Sequence, residues 1–329
     1  MIKINTLFHM ILICSCMGTC FGFMEIIVAA GSYLYQKLPC FSGACCTKNE
    51  IPANYHALEA SLKDKLFGQP LVLNTVVNAL KSHWNDNYRA EKALTMSFHG
   101  GPGVGKNYVT KMIQEALYTQ GTRSPHVHMF VARLDFPEVS KVPEYQRNLA
   151  RWIKGNVTNC PKQIFIFDEV NHMPAGVLDA IKPFIDYYDY INRINFREVI
   201  FIFLSNTGAQ IVNEHTYTLW RKGIKKDEMK LSDFEKLISQ GAFNEKGGFH
   251  HSETIKSNLI DHYIPFLPLM EHDVMLCIIE EFKKRGVHNP SERNIREVLS
   301  YIDWAPDSDK IFSKTGCKRI SQKVGVLAY

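Results

Sequence analysis

The stretch Gly100–Gly101–Pro102–Gly103–Val104–Gly105–Lys106–Asn107 restricts what this chain can fold into more than any other feature. Glycines at this density let successive backbone N–H groups converge on one centre and supply the positive φ angles that a tight phosphate-wrapping turn needs. A strand-like run, Leu94 to Phe98, enters the loop. Beyond it, Val109, Met112, Ile113, Ala116 and Leu117 recur at helical spacing. A helix that starts there aims its positive end at the same phosphates, and Lys106 is placed to reach the β- and γ-phosphates. Asn107 stands where Ser or Thr is usual. Its carboxamide oxygen is a neutral ligand able to meet Mg²⁺ directly or through water. The competing account is an ordinary Gly/Pro turn between a strand and a helix.

A second element argues against that account. Ile164–Phe165–Ile166–Phe167 is continuously apolar and runs into Asp168–Glu169. A parallel strand of this kind ends at the sheet edge where ligands bind in α/β folds. Asp168 is then a Mg²⁺ holder and Glu169 the group that polarises an attacking water. The interval from Lys106 to Asp168 leaves room for a helix, a strand and a second helix. A third run, Val199 to Leu204, ends in Ser205–Asn206, and a polar side chain there can orient the water near the γ-phosphate. Standing alone, Asn206 would be read as satisfying a turn.

Around these runs the pattern alternates strand and helix, which predicts a parallel sheet covered on both faces. Helices are expected over 57–66, 71–84, 145–154 and 175–184, and a strand over 127–131. Past Tyr263–Ile264–Pro265–Phe266–Leu267–Pro268 the rest reads as helical: 273–285, 292–302 and a last segment near 314–324. The expected division is a large α/β domain over 53–268 and a small helical domain over 269–329. Tyr187–Tyr188–Asp189–Tyr190 reads as packing at a helix end. His250–His251 has no metal-ligand spacing with Cys or carboxylates.

The N-terminus bears on compartment. Lys3, then the uncharged stretch Leu7 to Phe23 with small residues near Gly18–Thr19, reads as a signal peptide over 1–22. An uncleaved anchor is the alternative, since the stretch is at the lower limit for a spanning helix. Residues 23–52 hold a second apolar run, Ile26 to Tyr35, and a Cys-containing linker. That run either lies in a membrane interface or packs on the globular body. Of nine cysteines, Cys40, Cys45 and Cys46 cluster in the linker, and their connectivity is open. Asn156–Val157–Thr158 is a glycosylation sequon, usable in a lumenal chain. The 38 basic and 33 acidic residues are interspersed with no basic run, so no nucleic-acid partner is expected.

Taken together, these residues resemble the torsin family of AAA+ proteins. The loop ending in Lys106–Asn107 is the torsin form of the phosphate loop. Leu66–Phe67–Gly68–Gln69, Trp152 to Thr158, Ile164 to Val170, Asp179 to Phe184, Phe201 to Asn206 and Asn258 to Leu269 are also torsin-like, as is Gly316–Cys317–Lys318, the sensor 2 motif. The resemblance covers about residues 53–325. It implies an AAA+ domain with a five-stranded parallel sheet and a small helical domain, binding ATP with Mg²⁺. Gly101, Pro102, Gly103, Val104, Gly105, Lys106, Asn107 and Tyr108 are the implied nucleotide-binding residues, Asn107 and Asp168 the Mg²⁺ residues, and Glu169, Asn206 and Lys318 the catalytic and sensor residues. It further implies the endoplasmic reticulum lumen and perinuclear space, peripheral membrane association and a homo- or hetero-oligomer. Hydrolysis is implied to be weak until the lumenal domain of a single-span membrane protein inserts an arginine finger. The work done is remodelling of lumenal protein complexes or of nuclear-envelope and reticulum membranes. The alternative is a nucleotide-gated scaffold in which hydrolysis is incidental. Cys277 and Cys317 also match family cysteines and are either a redox-active disulfide or two buried thiols.

Overall fold

A computed structural model of the protein describes residues 46–327, and the targeting and membrane-association readings on residues 1–45 lie outside them. Five parallel strands form the central sheet: β1 (Leu94–His99), β2 (Val127–Val131), β3 (Ile164–Asp168), β4 (Ile200–Ser205) and β5 (His262–Pro265), in the order β2-β3-β4-β1-β5. The sheet is the one expected of an AAA+ domain.

Alternation along β3 and β4 sorts the side chains into two chemically different cores, because successive residues of a strand face opposite sides. Ile164, Ile166, Ile200, Ile202 and Leu204 join Met96 and Phe98 on a mainly aliphatic face. That face is covered by α1 (Tyr55–Lys65), α2 (Pro70–His83) and α3 (Lys106–Leu117). Phe165, Phe167, Phe201 and Phe203 make the other face. The register sets Phe165 beside Phe201 and Phe167 beside Phe203, and both pairs stack, with ring centres 5.4 and 5.5 Å apart. That aromatic face is covered by α4 (Val142–Asn159), α5 (Ala209–Arg221) and α6 (Glu235–Asn244). Burial of these rings, each worth about 1.5–3 kcal/mol, holds the strand ends in register.

The C-terminal region contains α7 (Glu271–Lys284), α8 (Glu292–Leu299) and α9 (Ile320–Leu327). Val274, Ile278, Phe282, Val298, Ile320 and Val324 join the same core cluster, so packing does not break at Pro268.

Several sequence expectations change. Residues 175–184 are not one α-helix: Gly176 is left-handed at φ 91°, residues Val177–Ile181 form a 3-10 helix, and a single α turn covers Lys182–Ile185. Pro174 and Pro183 flank this break, and proline lacks the N–H that continues a helix. The tail is not wholly helical either. Trp304–Ala305 (β6) pairs antiparallel with Phe312–Ser313 (β7), and Gly316–Cys317–Lys318 lies in a turn before α9. Tyr187, Tyr188 and Tyr190 are more than half exposed and do not pack at a helix end. The sequon falls in the last turns of α4, which runs past the expected end at 154, and Asn156 Nδ2 donates to Trp152 O at 2.9 Å. Among the described residues no helix is long and apolar enough to cross a membrane.

Candidate active site

The order β3-β4-β1 decides where the chemistry converges. Parallel strands present their C-terminal ends on one edge, so β1 delivers the glycine loop, β3 the acidic doublet, and β4, between them, Asn206. Asn206 Oδ1 accepts from Lys106 Nζ at 2.8 Å, and Asn107 Nδ2 donates to Asp168 Oδ2 at 2.9 Å. These contacts bring four sequence-selected residues from three strand ends into one cluster. A cleft of about 450 Å³ opens over them, with Leu66, Phe67 and Tyr108 on its wall.

The loop is shaped to receive an anion. Gly103 and Gly105 hold φ values of 71° and 109°, the left-handed region that glycine adopts without strain. The first intrahelical bond of α3 runs from Val109 N to Gly105 O, so the N–H groups of Lys106, Asn107 and Tyr108 stand ahead of it at the positive end of the helix. The carbonyls nearest to closing that turn are engaged elsewhere: Gly103 O accepts from Cys317 N at 3.0 Å and Val104 O from Gln69 Nε2 at 3.1 Å. Lys106 rests on the carbonyls of Gly100 and Gly101 at 2.7 and 2.8 Å. Burial pushes its pKa down to about 8; Lys318 adds to the depression, while Asp168 opposes it.

The turn 315–318 closes against the loop. A Cβ on Gly103 would stand 2.1 Å from Thr315 O, and one on Gly316 would stand 2.4 Å from Gly103 O. Two glycines face each other because neither side has room for a side chain. Lys318 lines the cleft from this turn, with Cys317 beside it. Cys277 on α7 is disulfide-bonded to Cys317, with Cα atoms 6.3 Å apart. A second disulfide joins Cys46 to Cys160 at the end of α4, a pairing that the linker cysteines left open.

The donor set suits ATP with Mg²⁺. Two lysines and helix-opening N–H groups meet phosphate charge. The Asp168 carboxylate, held by two neutral donors (Asn107 Nδ2 and Glu169 N), is a hard oxygen ligand beside a carboxamide. Among the described residues, no group of three His, Cys, Asp or Glu side chains gathers as a separate metal centre.

Sequence reasoning missed four supporting residues. Arg133, just past β2, sets its Nε 3.2 Å from Glu169 Oε2 and its Nη2 2.7 Å from His172 Nε2. Asn171 Oδ1 accepts from Asn206 N at 3.2 Å. Buried Gln69 bridges Val104 O and Leu267 through its amide, fixing the loop to the chain after β5. His99 closes β1 fully buried. The sequence signal for Gln69 lay in the Leu66–Gln69 stretch already noted; the other three carry none, because their partners are distant in sequence or set by β-register.

The chain resembles known proteins in both sequence and fold. A family model described as Torsin covers residues 40–167, and one described as Torsin-1A, C-terminal domain, covers residues 270–326. The chain is 41% identical over 305 residues to a torsin-like protein of Caenorhabditis elegans, covering 91% of this chain and 85% of that one. It is 35% identical over 306 residues to a torsin-like protein of Drosophila melanogaster, covering 92% and 90%. Among solved structures, a closed state of Hsp104 with ATPyS and FITC casein superposes with a TM-score of 0.58 at 14% identity, covering 84% of this chain and 46% of that one. The Hsp104-ADP complex of S. cerevisiae gives 0.58 at 15% identity, covering 84% and 47%. The chain therefore spans about half the length of those Hsp104 chains, and at such identity they speak to fold alone.

Proposed function

The chain belongs to the torsin family of AAA+ ATPases, and from that premise we propose that it hydrolyses ATP slowly alone and faster when a membrane-anchored partner completes its site. The observation that carries this reading is the cluster of Lys106, Asn107, Asp168 and Asn206 over three adjacent strand ends. Lys106 exchanges its loop carbonyls for the β- and γ-phosphate oxygens, and the N–H groups opening α3 take the remaining phosphate charge. Asn107 and Asp168 are the residues that would hold Mg²⁺, which neutralises charge on the phosphate oxygens. Asn206 orients the attacking water and Glu169 accepts its proton; the bond from the γ-phosphorus to the bridging oxygen breaks, releasing ADP and phosphate. Lys318 approaches the phosphates from the 315–318 turn.

In this reading the arginine that stabilises the transferring phosphoryl group comes in trans, from the lumenal domain of a single-span partner. Such a group is worth roughly 10³–10⁵ in rate in other phosphoryl-transfer systems. The two disulfides support residence in an oxidising lumen, that of the endoplasmic reticulum and the contiguous perinuclear space. Assembly into an oligomer, modification at Asn156, peripheral membrane association through residues 23–52 and remodelling of lumenal complexes or membranes belong to the same proposal.

The test is ATP turnover by the purified chain with and without membrane proteins captured on its ATP-loaded Glu169→Gln form. Slow turnover alone and stimulation by a captured lumenal domain support the reading, whereas fast turnover without any partner contradicts it. A Glu169→Gln chain that keeps its cellular function while trapped with ATP would instead indicate the nucleotide-gated scaffold.

A further inference from the structure

His99 is the last residue of β1, immediately before the phosphate loop, and it is fully buried on the aromatic side of the sheet between Phe249 and Tyr263. Its ring bridges two strand ends. Nδ1 lies 2.9 Å from the carbonyl oxygen of Thr207, the residue after Asn206, and Nε2 lies 2.7 Å from Ser97 Oγ. A carbonyl only accepts, so Nδ1 carries the hydrogen. Burial depresses the pKa to about 4 and keeps the ring neutral, so Nε2 is the acceptor of the Ser97 hydroxyl. The backbone of His99 is fixed independently: its carbonyl accepts from Phe266 N at 2.7 Å on the β5 side.

From this geometry we propose that His99 is a positioning residue for hydrolysis, holding Asn206 in register with Lys106 through the Thr207 carbonyl. Asn206 is then fixed from both sides. Its own N–H donates to Asn171 Oδ1, and the carbonyl of the next residue is pinned to β1 by the His99 ring. Ser205 Oγ lies 2.6 Å from Thr207 Oγ1 and accepts from Thr207 N at 3.0 Å, which stiffens the same turn. The Asn206 side chain is thereby presented to the Lys106 ammonium at 2.8 Å. His99 touches no phosphate and acts only through this turn. Loss of the bridge lets Asn206 drift by a fraction of an ångström, which costs turnover without removing the charges that bind ATP.

This inference rests on the assignment of Asn206 to the water-orienting role, so Asn206→Ala is measured alongside. The experiment compares ATP dissociation constants and single-turnover hydrolysis rates for the purified chain and the His99→Leu, His99→Asn and Ser97→Ala variants. His99→Asn is the conservative variant, since its amide nitrogen takes the place of Nδ1 as donor to Thr207. The expected result is a dissociation constant within about threefold of the parent throughout. His99→Leu should lower the single-turnover rate at least tenfold, and His99→Asn should restore most of it. Ser97→Ala, a smaller change that keeps the ring, should lower the rate in the same direction. Nitrogen NMR of the unmutated chain should show a protonated Nδ1 and a bare Nε2 on His99, a readout that does not depend on any variant folding.

The opposite tautomer, a parent-like rate in His99→Leu, or a loss of affinity that matches the loss of rate and is not rescued by His99→Asn would overturn the proposal. An Asn206→Ala chain with parent-like hydrolysis would remove the underlying assignment and the inference with it. If Asn206→Ala is slow and His99→Leu is not, only the inference falls.

Discussion

Lys106 gives the sharpest quantitative consequence of the site geometry. Its pKa in the free chain is depressed to about 8, chiefly by burial. Phosphate binding requires the charged ammonium, and bound phosphates raise its pKa far above the free value. A lysine is charged below its pKa and neutral above it, so ATP affinity must fall as pH rises through about 8. The free-chain value makes roughly three quarters of Lys106 charged at about pH 7.5 and roughly a tenth at about pH 9. The dissociation constant should therefore rise about eightfold across that interval, equivalent to about 1.2 kcal/mol. Isothermal calorimetry or a fluorescent ATP analogue at constant magnesium and ionic strength reads this directly. Lys106→Arg is the control: a guanidinium does not deprotonate in this range, so whatever affinity that variant retains should be flat with pH. A flat profile for the parent chain, or the same slope in the arginine variant, refutes the reasoning.

Three other perturbations probe the surrounding contacts. Gly316→Ala puts a Cβ 2.4 Å from Gly103 O at a φ of 53°, so the turn must retreat from the phosphate loop. About 1–2 kcal/mol of backbone strain should cost only a few degrees of melting temperature, while ATP binding weakens at least tenfold by titration. Arg133→Ala frees Glu169 from an ion pair whose side chains are 61% and 41% exposed. Exposed pairs contribute at most about 1 kcal/mol, so basal hydrolysis should rise by no more than about fivefold in a steady-state assay. Cys317→Ser removes the tie between the 315–318 turn and α7, and ATP affinity should then become equal under oxidising and reducing conditions, which a paired titration checks.

The sequence made the phosphate loop, the Asp168–Glu169 doublet and Asn206 legible for a common physical reason. Each sits where an uninterrupted apolar run stops, and in a parallel sheet such stops line one edge. The two-sided core followed from the same runs, although the division into an aliphatic and a phenylalanine face appears only when Ile164–Phe165–Ile166–Phe167 is laid beside Ile200–Phe201–Ile202–Phe203. What stayed hidden depends on partners far along the chain. β5 is four residues long, and Pro265 at its end masks a strand that pairs on one side only, with β1. α5 and α6 were not anticipated, since polar loops interrupt the pattern between residues 206 and 262. The β6–β7 hairpin has two residues per strand, too few for any period to register. Arg133 and His99 act across strands, and no spacing rule joins position 133 to 169 or position 99 to 207. The Cys46–Cys160 pairing spans 114 residues and was beyond spacing arguments for the same reason.

A crystal structure of the Glu169→Gln chain with MgATP tests the whole account most directly. One nucleotide is expected over the ends of β1, β3 and β4, with the Lys106 ammonium moved from the Gly100 and Gly101 carbonyls onto phosphate oxygens and Asn206 facing the γ-phosphate. A nucleotide bound elsewhere, or Lys106 still resting on those carbonyls beside a bound triphosphate, would contradict it.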